Sequence, residues 1–183
     1  MRKALGLVIV LALMASGLSA QGAWKASEKV DEATGARRDT AEALAAFRQN
    51  ETLGPYFEQA VGFVVFPSVA KAGFGIGGAY GKGQLFEAGT VIGESSVTQL
   101  SIGLQLGGQA YSEIIFFRDA RALETFKTGK FELGAQAGAV LIKEGVSVET
   151  AFNEGIAVFT AAKGGVMYEA SLSGQKFSYR SID

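Results

Sequence analysis

The sequence contains no cysteine and no histidine. Without cysteine the chain has no disulfides, no thiolate nucleophile and no thiolate metal ligands, so its stability depends on its hydrophobic core. Without histidine it lacks the commonest general base at neutral pH, which excludes hydrolases built on Ser-His or Cys-His pairs. Catalysis by carboxylates alone remains open. No pair of acidic residues is placed for it, and the sequence predicts a protein that is not an enzyme.

An excess of positive charge is also absent. The chain has 17 basic and 18 acidic residues, a formal net charge of −1. Removal of Arg2 and Lys3 with a cleaved N-terminus leaves 15 against 18, a net charge of −3. This balance does not suit nucleic acid, whose binding depends on neutralising phosphates, or broad adhesion to an anionic membrane. We therefore expect no nucleic-acid partner, and we expect any lipid contact to be local, apolar or both.

Residues 1–20 have the pattern of a secretory signal peptide. Two basic residues are followed by an apolar run and then by small residues, with cleavage expected after Ala20. The run is short for a membrane span, which takes about 20 apolar residues, although an uncleaved anchor helix is the alternative. Gln21 stands where a lipoprotein signal requires cysteine. The sequence therefore predicts an exported, periplasmic protein that is not a lipoprotein.

We predict one structural domain over residues 21–183, which begins with a helical segment over residues 21–60. Alanines and charged residues alternate there, Asp39 and Thr40 are candidate caps of a second helix, and Gly54-Pro55 ends the segment. A helix packed on the side of the domain is favoured over a membrane-surface amphipathic helix, because glutamates lie along the segment.

Residues 61–183 are rich in glycine and have the pattern of an antiparallel β domain. The apolar run from Gly62 to Phe66, closed by Pro67, predicts a buried strand. Residues 72–80 and 84–87 then predict a hairpin whose turn is Gly81-Lys82-Gly83.

The clearest alternation of period two follows over residues 99–109. One set of alternate residues is apolar, namely Leu100, Ile102, Leu104 and Leu106, whereas Gln99 and its in-phase neighbours are polar or glycine. Alternation of this kind predicts a strand with one face in a core and the other face in water or along a polar interior. We therefore expect Leu100 to face the core.

One short helix is predicted between the strands, from Ala120 to Lys127, with Asp119 as its cap and Gly129 at its end. Glycines within strands allow the bends that a curved sheet needs. The predicted fold class is α+β and rich in β, with N-terminal helices packed on a strongly curved or barrel-like antiparallel sheet. Further strands are predicted over residues 135–141, 155–160, 165–172 and 176–180.

The glycines at 73, 75 and 78 match the spacing of a dinucleotide-binding loop, but no helix begins there to meet a pyrophosphate. Glycines that allow a twisted strand to bend are the favoured interpretation. Glu87, Glu94 and Glu113 are scattered as solvated strand residues usually are, and no Asp-rich calcium loop is present. We expect no catalytic residues, no metal site and no cofactor.

The candidate binding residues lie in the Gly-rich hairpin. Lys71 and Lys82 flank it, with Phe74 and Tyr80 between them. An aromatic side chain beside a lysine suits the boundary between lipid headgroups and acyl chains. Solvated lysines and aromatics in the core are the alternative interpretation.

The segment Val64 to Gly78 (VVFPSVAKAGFGIGG), followed by Gly81-Lys82-Gly83, resembles the signature of the SYLF domain. This is a lipid-binding family that is also known from yeast actin-patch proteins. Residues 101–109, 130–138 and 163–174 resemble its later blocks in the same order, and the resemblance runs from about Thr40 to Tyr179.

The resemblance implies binding of phospholipid or phosphoinositide, actin binding in some eukaryotic members, and no catalytic activity. Eukaryotic members place basic residues in an N-terminal amphipathic segment, whereas here Arg37, Arg38 and Arg48 lie among many acidic residues. An export signal also makes actin an unsuitable partner. We therefore expect a phospholipid-binding protein of the bacterial cell envelope, which holds lipid on an apolar surface or in a cavity with lysines at its rim. The alternative is a structural or protein-interaction module of the envelope.

Overall fold

The computed structural model describes residues 34–133, 152–162 and 174–182 of the chain. The chain divides into two compact units, Met1–Arg38 and Asp39–Asp183. In the first unit, the described residues 34–38 are helical. The predicted signal peptide lies outside the described residues, and so do the predicted strands over residues 135–141 and 165–172. The predicted division of the chain at residues 20 and 60 stays a prediction.

The described elements confirm a mixed α+β fold in which one antiparallel sheet dominates. Two long strands provide most of the sheet, and two short strands pair with different parts of the second long strand. The elements are α1 (residues 34–48), a 3₁₀ turn (Glu51–Leu53), α2 (Gly54–Gln59), β1 (Gly62–Glu87), β2 (Thr90–Phe117), α3 (Ala120–Lys127), β3 (Ile156–Ala162) and β4 (Gln175–Ser181).

The helical segment differs in detail from the prediction. Helix α1 continues through Asp39 and Thr40, and Thr40 is buried, so the predicted caps at these two residues are wrong. Gly54-Pro55 does not end the segment, because α2 begins there with the proline in its first turn. A proline at this place lacks only an N–H group that the first turn leaves unpaired in any case.

The hairpin turn also lies further along the chain than predicted. Strand β1 continues through Gly81-Lys82-Gly83, and the chain reverses at Ala88 and Gly89, whose φ angles are 48° and 79°. A two-residue turn with positive φ at both positions matches the twist of the flanking strands, and glycine adopts it without strain. The predicted turn at residues 81–83 is therefore wrong.

Those glycines instead allow the long hairpin to fold onto itself. A Cβ atom at Gly83 would overlap the carbonyl oxygen of Val65 and lie 2.6 Å from Cδ1 of Phe66, and one at Gly81 would lie 2.9 Å from the Ser68 oxygen. The second half of β1 thus crosses directly over the first half. Glycine is the residue that permits such close contact between two backbones.

A β-bulge accommodates Pro67 in the middle of β1. The register shifts between Phe66 and Val69, which leaves one extra residue on β1 opposite β2. The Ser112 hydroxyl donates a hydrogen bond of 2.8 Å to the Pro67 oxygen. Proline has no N–H group for a ladder and is tolerated at a bulge, so the strand continues beyond the residue that was predicted to end it.

The folded hairpin has a hydrophobic core on each face. The first core lies between its two halves and includes Phe66, Leu85, Val97 and Phe177, with α3 at its side. The second core lies on the opposite face, beneath α1 and α2, where Tyr56 contacts the rings of Phe116, Phe152 and Phe159. Its other fully or largely buried members are Phe47, Leu53, Phe63, Val65, Phe86, Ile114 and Ala157.

Three predicted elements are confirmed. Helix α3 spans Ala120–Lys127, the Asp119 carboxylate accepts a hydrogen bond from the Ala122 amide, and Gly129 follows with φ +67°. Strands β3 and β4 match the predicted strands at 155–160 and 176–180 within one or two residues. Within the described residues no strand pairs with the free edge of β1, so the described sheet is curved and open.

The contact at Gly83 predicts a large effect of a small substitution. Gly83→Ala is expected to lower the free energy of unfolding by about 1–3 kcal/mol, because the methyl group has no space beside Val65 and Phe66. Gly108→Ala is the matched control, since its Cβ would lie 3.9 Å from the nearest atom. Urea denaturation measures both, and equal stability of the two variants would contradict the folded hairpin.

Candidate functional site

The four predicted binding residues all lie on β1 but not on one face. Alternation from the buried Ala79 places Tyr80 and Lys82 on the outer face, where both are exposed. Lys71 is half-buried and has the phase of Val69, which belongs to the inner core. The backbone of Phe74 pairs with Leu106, and its side chain lies outside the described residues. The structure therefore brings together Tyr80 and Lys82, whereas Lys71 belongs to the inner side.

Two large apolar side chains lie beside Tyr80 on the outer face. Leu100 is 85% exposed and Ile76 is 73% exposed, whereas Tyr80 is 50% exposed. Leu100 pairs with Gly78, which places it diagonally opposite both Ile76 and Tyr80. We call these three residues, Ile76, Tyr80 and Leu100, the outer-face patch. An exposed cluster of large apolar residues on a strand face is typical of a contact surface.

The prediction that Leu100 faces the core is therefore wrong. At the start of this segment the two faces are the reverse of the prediction, because Leu100 is exposed and Gln99 is 4% exposed. The phase is set earlier in β2, because Val97 is fully buried and residue 99 follows it on the same face. The sequence contains this signal, since Val97 is in phase with Gln99 and out of phase with Leu100.

A polar border lies next to the outer-face patch. Lys176 of β4 pairs with Thr98, which itself pairs with Tyr80, so the three residues form one row across the sheet. The next row contains Lys82, Ser96 and Ser178, and the two serine hydroxyls are 2.7 Å apart.

The charges of this border are nearly balanced. The Lys176 Nζ lies 3.7 Å from the Glu132 carboxylate, and Arg180 forms an ion pair with Glu94 in the third row. Lys82 is the third cation of this border and also takes part in an interaction. The outer face thus combines exposed apolar side chains with a charged border.

The inner face holds a buried polar cluster that the sequence analysis missed. Glu113, predicted to be a solvated strand residue, is fully buried. The Gln175 Nε2 donates to the Glu113 Oε2 at 3.0 Å and to the Tyr111 hydroxyl at 3.1 Å. Burial raises the pKa of Glu113 to about 7, and the hydrogen bond from Gln175 lowers it only in part. Burial and the nearby carboxylate of Glu113 also raise the pKa of Tyr111.

A small apolar cavity of about 110 Å³ lies between α1 and β3. Two of its polar side chains are engaged: the Ser112 hydroxyl donates to the Pro67 oxygen, and the Asn50 side chain accepts from the Thr52 amide. The cavity therefore offers apolar contact rather than chemistry. Its other lining residues are Ala43, Ala46, Phe47, Leu53, Phe159, Thr160 and Ala161.

The described residues contain neither a cluster of metal ligands nor a helix suited to span a membrane. Over residues 34–133, 152–162 and 174–182, no three acidic side chains come together in a group that could hold a metal ion. In the same ranges, no helix has both the length and the apolar character to span a membrane.

Residues 98–182 match the family model Ysc84, described as Las17-binding protein actin regulator, which represents the SYLF domain. The SYLF resemblance is confirmed. The matched region begins in β2 and includes Leu100, Glu113 and Lys176, whereas the predicted binding residues on β1 precede it. The SYLF family is associated with lipid binding and with protein binding.

One similar relative is the protein named Beta cell expansion factor A from Aeromonas veronii. The two chains are 25% identical over 143 residues, which cover 72% of this chain and 50% of the relative. The chain thus spans about half the length of that relative. The match extends over more of this chain than residues 98–182 alone.

The exposure of Leu100 leads to a stability prediction. Leu100→Ser is expected to change the free energy of unfolding by less than about 0.5 kcal/mol, because the side chain contacts mainly solvent. Leu85→Ala is expected to cost about 2–5 kcal/mol, because Leu85 is fully buried in the same sheet. Denaturant titration of both variants measures the difference. A large loss in Leu100→Ser would place that side chain in the core after all.

Proposed function

We propose that this chain is a non-enzymatic, exported protein of the bacterial cell envelope that binds phospholipid surfaces through its outer-face patch. The observation that supports this most directly is the position of Leu100 and Ile76, which are both largely exposed on one strand face beside Tyr80 and Lys82. Membership of a family associated with lipid binding supports the same proposal.

The patch has the order of groups that a lipid surface presents. Leu100 and Ile76 would enter the acyl region, where burial of an aliphatic side chain contributes about 1.5–3 kcal/mol. Tyr80 has an apolar ring and a polar hydroxyl, which suits the interface between acyl chains and headgroups. Lys176 lies in the same row as Tyr80 and Lys82 lies in the next row, and both would meet lipid phosphates through their ammonium groups.

The expected binding is weak and reversible. Two aliphatic side chains contribute about 3–6 kcal/mol, comparable with a single acyl anchor, which by itself holds a protein only marginally at a membrane. Each lysine near an anionic surface adds about 1 kcal/mol, and this contribution decreases with salt. Stable attachment would therefore require both the apolar residues and the lysines.

The periplasm is the proposed location. The signal peptide pattern over residues 1–20 supports export, and Gln21 in the place of a cysteine supports a protein without a covalent lipid anchor. Because the predicted mature chain has a net charge of −3, its attraction to anionic lipid would be confined to the outer face.

The apolar part of the patch is tested by co-sedimentation with vesicles of phosphatidylglycerol and phosphatidylcholine. The double variant Ile76→Ser/Leu100→Ser is expected to lose binding at least tenfold, because one lost aliphatic contact is worth about 1.5 kcal/mol or more. Val61→Ser is the control, since Val61 is 41% exposed outside the patch. Unchanged binding in the double variant would reject the patch, and no binding of the wild type to any phospholipid would reject the function.

The lysines are tested by the same assay at low and high salt. Lys82→Gln/Lys176→Gln is expected to weaken binding to anionic vesicles several-fold and to reduce its dependence on salt. Lys130→Gln is the control, because Lys130 is exposed after α3. Lys71→Gln is expected to have a smaller effect than Lys82→Gln, since Lys71 has the phase of the inner core. The reverse order would favour a site on the inner side of the sheet.

A protein-interaction module of the envelope is the second candidate. The description of the matched family as a Las17-binding actin regulator favours it, because that description names protein binding. Affinity capture from envelope extract, followed by mass spectrometry of retained lipid, separates the two candidates. One stoichiometric protein partner without lipid would favour the second candidate.

A further inference from the structure

The buried polar cluster has a hydrogen-bond deficit at its centre. Glu113 and Gln175 are both fully buried, and the single amide nitrogen of Gln175 donates to both the Glu113 carboxylate and the Tyr111 hydroxyl. Among the described residues, the Glu113 Oε1 and the Gln175 Oε1 have no hydrogen-bond partner. A fully buried carboxylate with one donor is poorly compensated as an anion.

The charged groups on the surrounding strands do not offset the negative charge of an ionised Glu113. Strand β3, whose Thr160 pairs with Glu113, carries no ionisable side chain. The nearest cation along β1 is Lys71, which pairs with Gln109 rather than with Glu113. On β4, Lys176 points to the outer face, where its side chain is 69% exposed near Glu132.

The ionisable groups on neighbouring elements do not offset the charge of Glu113 either. Tyr111, on the same strand as Glu113, presents a neutral hydroxyl. In α3, Lys127 pairs with Glu87 and Glu124, and Arg121 is exposed. No cation of the described residues therefore faces Glu113.

We propose that Glu113 is a proton-binding site, and that its protonation is coupled to a flip of the Gln175 side-chain amide at the start of β4. With Glu113 ionised, the amide nitrogen donates to the carboxylate and to the Tyr111 oxygen. When a solvent proton binds at Oε2, the amide turns by 180° and its oxygen accepts from both the Glu113 and the Tyr111 hydroxyls. Both arrangements keep two hydrogen bonds, and the protonated one removes the buried charge.

Gln175 connects the Glu113 carboxylate to strand β4. Gln175 pairs with Gln99 of β2, and its carbonyl oxygen accepts from the Leu133 amide, so its backbone is fixed on both sides. Its side chain donates the hydrogen bond that connects β4 to Glu113 inside the core. Loss of the proton leaves a buried anion at this link, and the cost of burying that charge lowers the stability of the folded chain.

The direction of the pH effect follows from the raised pKa of Glu113, about 7 in the folded protein against 4.5 for an unperturbed glutamate. Between these values the folded protein holds the proton more tightly than the unfolded chain does. The stability contributed by the bound proton is therefore fully present below about pH 4.5. It is lost as the pH rises through about 7.

Thermal unfolding of the full chain between pH 5 and pH 8 tests the proposal. The unfolding midpoint of the wild type is expected to fall by about 5–10 °C more over this range than that of Glu113→Gln, whose side chain cannot ionise. Glu58→Gln is the control, because Glu58 is exposed and should leave the wild-type dependence unchanged. An equal pH dependence in Glu113→Gln and the wild type would overturn the proposal.

NMR of the wild type provides a second test that does not depend on folding of a variant. The Glu113 carboxyl carbon is expected to titrate with a midpoint near pH 7, and the Gln175 side-chain amide signals should shift with the same midpoint. A Glu113 midpoint near 4.5 would overturn the proton site. Titration of Glu113 without any response of the Gln175 amide would overturn the coupling.

Discussion

The close contact between the two halves of β1 is the constraint on which the rest of the structure depends. Glycine at positions 62, 81 and 83 lets backbone meet backbone where a methyl group would collide. This contact folds a long hairpin into two layers and encloses the first core between them. The phase of every strand residue is then fixed, because the inner face of each layer must be the one that faces the other.

Because the phase is fixed, neighbouring residues of one strand face the buried inner side and the exposed outer side of the sheet. Gln99 is buried on the inner face, where it pairs with Gln175, and Leu100, the next residue, is exposed on the outer face. Gln175 and Lys176 repeat the arrangement on β4. A shift of one residue in either strand would expose the polar cluster and bury the apolar patch. The unusual placement of polar side chains inside and apolar ones outside is therefore specified by pairing along the whole hairpin.

The parts of the fold that local chemistry decides could be predicted from the sequence. Helix α3 has a capping aspartate, two inward apolar residues and a terminal glycine, and it forms where expected. The hairpin turn could not be placed, because the glycines at 81 and 83 serve contacts with Ser68 and Val65, which lie 13 and 18 positions earlier in the chain. The burial of Glu113 was missed for a similar reason. A single carboxylate in a strand gives no local sign that Gln175, 62 positions later, will cover it. Tyr80 and Lys82 were predicted because their residue types suit an interface, and they stay a prediction, whereas the exposure of Leu100 depends on the phase of Val97.

The register of the sheet also implies an order of assembly. Paired residues of β1 and β2 are three positions apart at Glu87 and Thr90, and 55 positions apart at Gly62 and Phe117. The hairpin can therefore close progressively from its turn, each new pair requiring only a short loop. Strand β4 pairs with residues about 80 positions earlier, and no such gradual route leads to it. We expect the chain to form its long hairpin early and to add β4 last, so that the inner core stays accessible from one side until β4 has paired.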